Sequence, residues 1–329
     1  MRHLHQIALL LLVTGAFAVG CSTPQEGDGK APGVEESVET DPSYQFDRGL
    51  AYYSGDDVPE NHVEAARWWR MAAEQENAAA QANLGILYSH GHGVQRDYAE
   101  AARWWRMAAE QGNAGAQVNL GNAYESGQGV QRDYVEAARW WRMAADQGTA
   151  TSQFNLGRAY HNGQGVQRDY AEAARWWRMA AEQGTGEAQF NLGVLYENGQ
   201  GVRQNHTQAA QWYLLAAEQG LTEAQFNLGL QYENGQGVML DYVEAARWYR
   251  RAADQGMAEA QISLGNAYAE GKGVPKDLTY AHMWNSLAAL RGHSDAQGNL
   301  RYIERGMSYG EKQIAQARAQ TWRPTPESP

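Results

Sequence analysis

The sequence predicts an all-α fold, a solenoid of stacked helical hairpins, and three observations support this prediction. Apolar residues follow helical spacing on both sides of a glycine-rich turn. A hairpin of this kind has an apolar face that it cannot cover alone, so neighbouring hairpins are expected to stack. A glycine also recurs every 36 residues without an insertion, at Gly49, Gly85, Gly121, Gly157, Gly193, Gly229 and Gly265.

The segment before each turn predicts the first helix of a hairpin. In the second period, Ala80, Leu84, Leu87 and Tyr88 share one face at helical spacing. The turn that follows reads "GHGV" at 91–94, and its glycines permit the backbone reversal. The same turn recurs as "GQGV" at 127, 163, 199 and 235 and as "GKGV" at 271.

The segment after each turn predicts the second helix. Asp97 stands where an N-terminal cap is needed. Ala101, Trp105 and Ala108 then form the centre of an apolar stripe, while Arg103 falls on the opposite face. We therefore expect two amphipathic helices in each period.

The doubled tryptophan in the second helix is predicted to be structural. Trp105 lies in the middle of the stripe and Trp104 on its flank. Burying one such ring removes about 150–250 Å² from water, so the pair is expected to fill the joint between repeats. A second interpretation gives the flank tryptophans a sugar-binding or cation-binding role. The predicted structural residues are Trp68, Trp104, Trp105, Trp140, Trp141, Trp176, Trp177, Gly85 and Gly121.

The period resembles a known repeat family. The segment "NLGILYSHGHGVQRDYAEAARWWRMAAEQG" at 83–112 is similar to the consensus of the Sel1-like repeat, a relative of the tetratricopeptide repeat. The resemblance covers residues from about 44 to 322. It implies a right-handed α/α superhelical solenoid that binds other proteins.

The predicted organisation has five parts. Residues 1–20 form a signal peptide, 21–43 a lipidated and acidic tether, and 44–293 the seven repeats of 36 residues. Residues 294–322 form a C-terminal helical cap, and 323–329 a tail. The tether is rich in Gly, Pro, Ser and acidic residues, a composition that does not order itself.

The N-terminus predicts export and lipidation. Arg2 precedes an apolar run from Ile7 to Phe17, as in a secretory signal peptide. The following "AVGC" resembles the bacterial lipobox, whose cysteine, here Cys21, carries the lipid. The alternative is an ordinary cleaved signal with an incidental cysteine. By the same resemblance, Ser22 implies an outer-membrane anchor in a Gram-negative bacterium, on the periplasmic face or the cell surface.

Composition excludes one class of partner. The net charge is −11, whereas nucleic-acid binding needs a basic stripe. Cys21 is the only cysteine, so no disulfide forms within the chain. We expect no cofactor and no metal.

The catalytic motifs do not predict an enzyme. Gly306 to Gly310 matches G-x-S-x-G, but it joins two predicted helices, and Ser308 with Glu311 is better interpreted as a capping box. Some Sel1-like proteins are proposed β-lactamases, yet no serine here has a lysine three residues later. His90 and His92 lie in a turn without a carboxylate or cysteine at ligand spacing.

The tetratricopeptide likeness implies that the first helices line a concave groove. An asparagine recurs at one outward position, and its amide can hold the backbone of an extended peptide. The alternative is that each amide bonds a neighbouring helix. An aromatic run lies beside it, for which inter-repeat packing is the alternative, together with two carboxylates. The predicted groove residues are Asn83, Asn119, Asn155, Asn191, Asn227, Phe154, Phe190, Phe226, Glu197 and Glu233.

These observations predict a membrane-anchored scaffold or adaptor of the bacterial envelope. Its partner would be an extended polypeptide with apolar and basic residues, or another protein, held in the groove. The chain would meet the membrane only through its N-terminal lipid. The alternative function is binding of glycan or peptidoglycan by exposed tryptophans, and a hydrolase such as a β-lactamase is a remote third.

Overall fold

The computed structural model describes residues 39–325. Within this range the chain is all-α, with one short 3₁₀ helix at Glu304–Gly306 and no strand, as the sequence predicts. The α-helices are α1 Pro42–Ser54, α2 His62–Glu74, α3 Ala78–His90, α4 Tyr98–Glu110, α5 Ala114–Ser126, α6 Tyr134–Asp146, α7 Ala150–Asn162, α8 Tyr170–Glu182, α9 Gly186–Asn198, α10 His206–Glu218, α11 Thr222–Asn234, α12 Tyr242–Asp254, α13 Ala258–Glu270, α14 Leu278–Leu290, α15 Ser294–Ile303 and α16 Tyr309–Thr321.

The helices pair into hairpins, in which an odd-numbered first helix is followed by an even-numbered second helix. We number the hairpins as repeats 1 to 7 from α1–α2 to α13–α14. The chain divides into two compact units. Unit 1 ends at Gln147 and contains repeats 1 to 3, while unit 2 begins at Gly148 and contains repeats 4 to 7 and the last two helices. The unbroken 36-residue period does not predict this division.

Local chemistry sets the helix ends. The Asp97 carboxylate accepts hydrogen bonds from the backbone N–H groups of Ala99 and Glu100 at 2.8 and 3.1 Å, which confirms the predicted cap. The preceding first helix ends at Gly91, whose φ of 75° lies in the left-handed region that favours glycine. In all seven repeats the first helix ends at a glycine, and the second helix begins after an aspartate or asparagine cap.

Small side chains bring the helices of each hairpin together. Ala101, Ala108 and Ala109 of α4 are fully buried, as is Leu84 of α3. An alanine adds little bulk between two helices, so their backbones approach closely and aromatic rings fill the remaining space. The core of each unit is therefore a series of alanine-rich layers.

A ladder of glutamines ties neighbouring hairpins together, and sequence reasoning missed it. The buried Gln81 amide donates to the Ala73 carbonyl of the preceding repeat at 3.0 Å and accepts from Gln111 at 2.8 Å. Arg291 replaces the last donor and reaches Gln261 at 3.1 Å. The same glutamine pair recurs as Gln75–Gln45, Gln147–Gln117, Gln183–Gln153, Gln219–Gln189 and Gln255–Gln225.

The C-terminal helices pack on α14. Ser308 and Glu311 form the predicted capping box at the start of α16. Beyond this helix, the Trp322 ring meets Trp284 edge-on at 6.0 Å. The backbone N–H of Thr325 then donates to the Asp254 carbonyl at 2.8 Å.

The predicted signal peptide and Cys21 lie outside the described residues, as do most of the tether and the final four residues. Between residues 39 and 325, no helix is both long enough and apolar enough to cross a membrane.

Candidate interaction surface on the first helices

The recurring glycine of each first helix receives a side chain from the second helix of the same repeat. A Cβ atom on Gly85 would lie only 2.4 Å from the Trp105 indole nitrogen, and one on Gly121 only 2.6 Å from Trp141. Only a residue without a side chain leaves room for the ring. Gly85 and Gly121 are therefore required by close packing, and we call this arrangement the glycine socket.

The two tryptophans of a pair have different roles. Trp105 lies in the glycine socket of its own repeat and also meets the next repeat. Trp104 belongs to the buried cluster that contains Ala72 and Ala73 of the preceding repeat. Consecutive residues of a helix are about 100° apart, so the two rings of a pair contribute to two different joints, one with the preceding repeat and one with the next.

The predicted flank tryptophans are largely buried. Trp104 and Trp140 are each 4% exposed, and Trp176, Trp248 and Trp284 are also buried, whereas Trp68 and Trp212 are half-buried. The Arg103 guanidinium lies 4.2 Å from the Trp104 ring and pairs with Glu100 at 2.9 Å. Such covered rings do not offer the open face that stacking on a sugar requires.

In repeats 5 and 6 the glycine socket holds tyrosine. The Tyr213 hydroxyl donates to the Glu197 carboxylate at 2.8 Å, and Tyr249 donates to Glu233 at 2.5 Å. Burial raises the pKa of both phenols, and the adjacent carboxylate raises each pKa further. The Asn227 side chain of the next repeat also hydrogen-bonds to the Tyr213 hydroxyl.

The predicted asparagine series therefore divides into two kinds. Asn83, Asn119 and Asn191 are half-buried, and their side-chain amides have no hydrogen-bond partner among residues 39–325. Asn155 is only 8% exposed, and Asn227 bonds to a neighbouring helix, which is the second interpretation of this position. The amides with spare hydrogen-bonding capacity lie on α3 and α5 of unit 1 and on α9 of unit 2.

The three phenylalanines of the predicted aromatic run are only partly exposed at the surface. Phe154, Phe190 and Phe226 are half-buried, each against the core of its own unit. The Phe190 ring lies 5.7 Å from Tyr213, and the Phe226 ring lies 5.7 Å from Tyr249. Each ring therefore packs inward and keeps one part at the surface, and a role in the groove stays a prediction.

The carboxylates of Glu197 and Glu233 differ in the number of hydrogen bonds that they accept. Glu197 accepts from Tyr213 through one oxygen and from Gln231 at 3.4 Å through the other. Glu233 accepts from Tyr249 through Oε2. No residue in the described part of the chain donates to Oε1 of Glu233.

Glu233 borders a cavity of about 120 Å³ in unit 2, between repeats 6 and 7. Lys272 lies at its rim and pairs with Glu270 at 2.6 Å. Its lining residues are Glu233, Tyr242, Ala245, Ala246, Tyr249, Asn266, Ala267, Glu270 and Lys272.

Of the two histidines predicted to lie in a turn, His90 is the last residue of α3 and only His92 is in the turn, and both have a neighbour that the sequence did not indicate. The His92 ring lies 5.4 Å from both His90 and His62, the first residue of α2. Across the described range, no three His, Cys, Asp or Glu residues are arranged to hold a metal ion.

Comparison with known proteins identifies the repeat. The Sel1 repeat profile matches seven consecutive segments, 42–77, 78–113, 114–149, 150–185, 186–221, 222–257 and 258–293. A solved Sel1 repeat protein from Oxalobacter formigenes is 35% identical, with a TM-score of 0.64, covering 82% of this chain and 78% of that one.

A second solved structure is similar over most of its length. It is a protective antigen from uropathogenic Escherichia coli with an SLR fold, 28% identical with a TM-score of 0.51, covering 85% of this chain and 84% of that one. No curated protein matches the sequence. The seven repeat matches and the 35% identity show that the chain belongs to the Sel1 repeat family.

Proposed function

We propose that this protein is a membrane-anchored adaptor of the bacterial envelope that binds an extended polypeptide along its first helices. Sel1 repeat proteins are generally protein-interaction scaffolds, and their fold is typically non-catalytic. The observation that carries the proposal is that each unit has partly exposed side-chain amides that bond to no described residue, Asn83 and Asn119 in unit 1 and Asn191 in unit 2.

An amide side chain suits an extended peptide because it has both a donor and an acceptor. A peptide unit of the partner has one N–H donor and one C=O acceptor. Each asparagine can therefore bind the partner's backbone whatever the partner's side chains are. The half-buried Phe190 beside Asn191 adds apolar contact. The net charge of −11 favours a partner with basic residues.

The anchor in this proposal is Cys21. Several acyl chains on one cysteine bind a bilayer firmly, because each buried methylene contributes about 0.8 kcal/mol. The "AVGC" segment and Ser22 support attachment to the outer membrane, on the periplasmic face or at the cell surface. A Cys21→Ala variant should leave the membrane fraction, and its retention there would contradict the anchor.

Site-specific photo-crosslinking in the native envelope tests the binding face. Glu187 and Gln211 are both exposed, but Glu187 lies one turn before Asn191 on α9, whereas Gln211 lies on α10. A photoreactive residue at 187 should crosslink a discrete polypeptide that the same residue at 211 does not. Replacing Asn83, Asn119 and Asn191 with alanine should lower the yield several-fold while circular dichroism stays unchanged.

Two outcomes would contradict the proposal. The first is an unchanged crosslinking yield in the folded triple variant. The second is retention of the protein on purified, protein-free sacculi with no polypeptide crosslinked at position 187, a result that would favour glycan binding instead.

A further inference from the structure

We infer that the cavity between repeats 6 and 7 binds the ammonium end of a lysine side chain. This inference rests on the proposed function, since that lysine belongs to the bound polypeptide. The cavity has a volume of about 120 Å³. Pockets for small molecules are usually about 300–1,000 Å³, so this one fits the end of a single side chain.

The preceding joint shows what kind of group the cavity lacks. Gln231 of repeat 6 and Ala267 of repeat 7 occupy equivalent positions, 36 residues apart. Gln231 is 1% exposed, and its Nε2 donates to Oε1 of Glu197 at 3.4 Å. At the next joint Ala267 is too short to reach Glu233, and the space that a longer side chain would fill is the cavity.

The local charge favours a cation over a neutral amide such as that of Gln231 as the donor to Glu233. Tyr249 already donates to Oε2 of Glu233, whereas Oε1 has no donor among the described residues. Lys272 is paired with Glu270 at 2.6 Å, and its ammonium lies 5.7 Å from the centre of the Tyr242 ring. Lys272 also attracts Glu233 electrostatically, but two carboxylates and one ammonium still leave one excess negative charge beside the cavity.

The walls suit the stem of a lysine. Ala245 and Ala246 are buried and line one side, and the Tyr242 ring lines another. A lysine is a compact ammonium on a flexible four-carbon stem, so the stem lies along these apolar walls and the ammonium reaches Oε1 of Glu233. Arginine carries a larger planar group, which the cavity admits less readily.

Titration of the full chain with n-butylammonium, a surrogate of the lysine side chain, tests the inference. Methyl NMR signals of Ala245, Ala246 and Ala267 should shift with the amine and not with neutral n-pentanol. Ala267→Gln copies the preceding joint and should abolish the shifts, as should Glu233→Gln. Glu197→Gln is the matched control at the preceding joint, and it should leave the shifts unchanged.

Equal shifts with n-pentanol, or wild-type shifts in a folded Ala267→Gln variant, would overturn the inference. Because the titration needs no partner, its outcome is separate from that of crosslinking. Crosslinking at position 187 without any response to the amine would refute the lysine site and leave the adaptor in place. A response to the amine without a crosslinked polypeptide would leave the cavity as a cation site and refute the adaptor.

Discussion

The glycine sockets of repeat 2 and of repeats 5 and 6 have the same recurring glycine in the first helix, but the aromatic side chain that fills them differs. In repeat 2, in unit 1, the ring against Gly85 is Trp105. In repeats 5 and 6, in unit 2, the rings against Gly193 and Gly229 are Tyr213 and Tyr249. An indole closes the socket mainly by its area, whereas a phenol brings a hydroxyl that needs a partner.

The socket rings also differ in their polar contacts. The indoles of Trp69, Trp141 and Trp177 each donate to an oxygen of their own repeat. The buried Trp105 nitrogen has no hydrogen-bond partner among the described residues, and the buried cluster around it consists of alanines, Leu120 and Trp140. Tyr213 and Tyr249 instead fix Glu197 and Glu233 in place. Tyrosine in place of tryptophan at the socket thus adds a hydroxyl that holds a carboxylate of the same repeat.

The largest expected effect on stability distinguishes a joint whose flank tryptophan is buried from one whose flank tryptophan is half-exposed. Trp140 is 4% exposed and packs with the core of repeat 2, whereas its equivalent Trp212 is only half-buried. Trp140→Ala should lower the free energy of unfolding by about 3–5 kcal/mol, since it leaves a cavity that cannot collapse fully. Trp212→Ala should cost clearly less, as measured by denaturant titration.

Equal losses at the two positions would show that exposure at the flank position does not set the stability of a joint. The distinction between the flank tryptophans would then have no energetic meaning.

The next effect tests the socket itself. Gly85→Ala forces a methyl group against the Trp105 ring and should cost about 1–3 kcal/mol, the usual range for overpacking. Gly115→Ala is the matched control, because a Cβ there meets only the Asn113 side chain at 3.4 Å. Alanine favours a helix over glycine, so the control should be neutral or stabilising by up to about 1 kcal/mol.

Denaturant unfolding of both variants in parallel provides the measurement. If Gly85→Ala proved no more costly than Gly115→Ala, the recurring glycine would have some purpose other than admitting a ring.

Periodicity predicted the architecture because the same residue types return at the same spacing. The caps at Asp97 and Ser308 followed from local patterns, which need no knowledge of the neighbours. The separate roles of Trp104 and Trp105 did not follow, since both are apolar and adjacent, and only the packing shows which helix each one meets.

The interaction surface was harder to predict for the same reason. Asn191 and Asn227 occupy equivalent positions in successive repeats. Asn227 hydrogen-bonds to Tyr213 of the preceding repeat, whereas the residue equivalent to Tyr213 in the repeat before Asn191 is Trp177. The role of an amide thus depends on a partner 14 residues earlier in the sequence. The glutamine ladder was missed because a buried glutamine has no distinctive pattern, although its 36-residue recurrence was a usable signal.

The smallest expected effect tests the hydroxyl groups that distinguish the tyrosine sockets from the tryptophan sockets. Burial, reinforced by Glu197 and Glu233, raises the phenol pKa of Tyr213 and Tyr249 above the ordinary value of 10.0. Above pH 10 the unfolded chain loses these protons while the folded chain keeps them, so stability falls as pH rises. The contribution is complete below pH 10 and declines above it.

A Tyr213→Phe, Tyr249→Phe double variant lacks this response. At pH 8 it should be less stable than the wild type by roughly 1 kcal/mol for each lost hydroxyl bond. At pH 11 the gap should narrow by about the same amount, because only the wild type loses stability on ionising these phenols in the unfolded state. Denaturant unfolding at both pH values measures the gap, and the other tyrosines, present in both proteins, cancel in the difference. A gap that stayed constant from pH 8 to pH 11 would mean that the two hydroxyls ionise as freely in the folded protein as in the unfolded chain, and that the carboxylates beside them do not hold their protons.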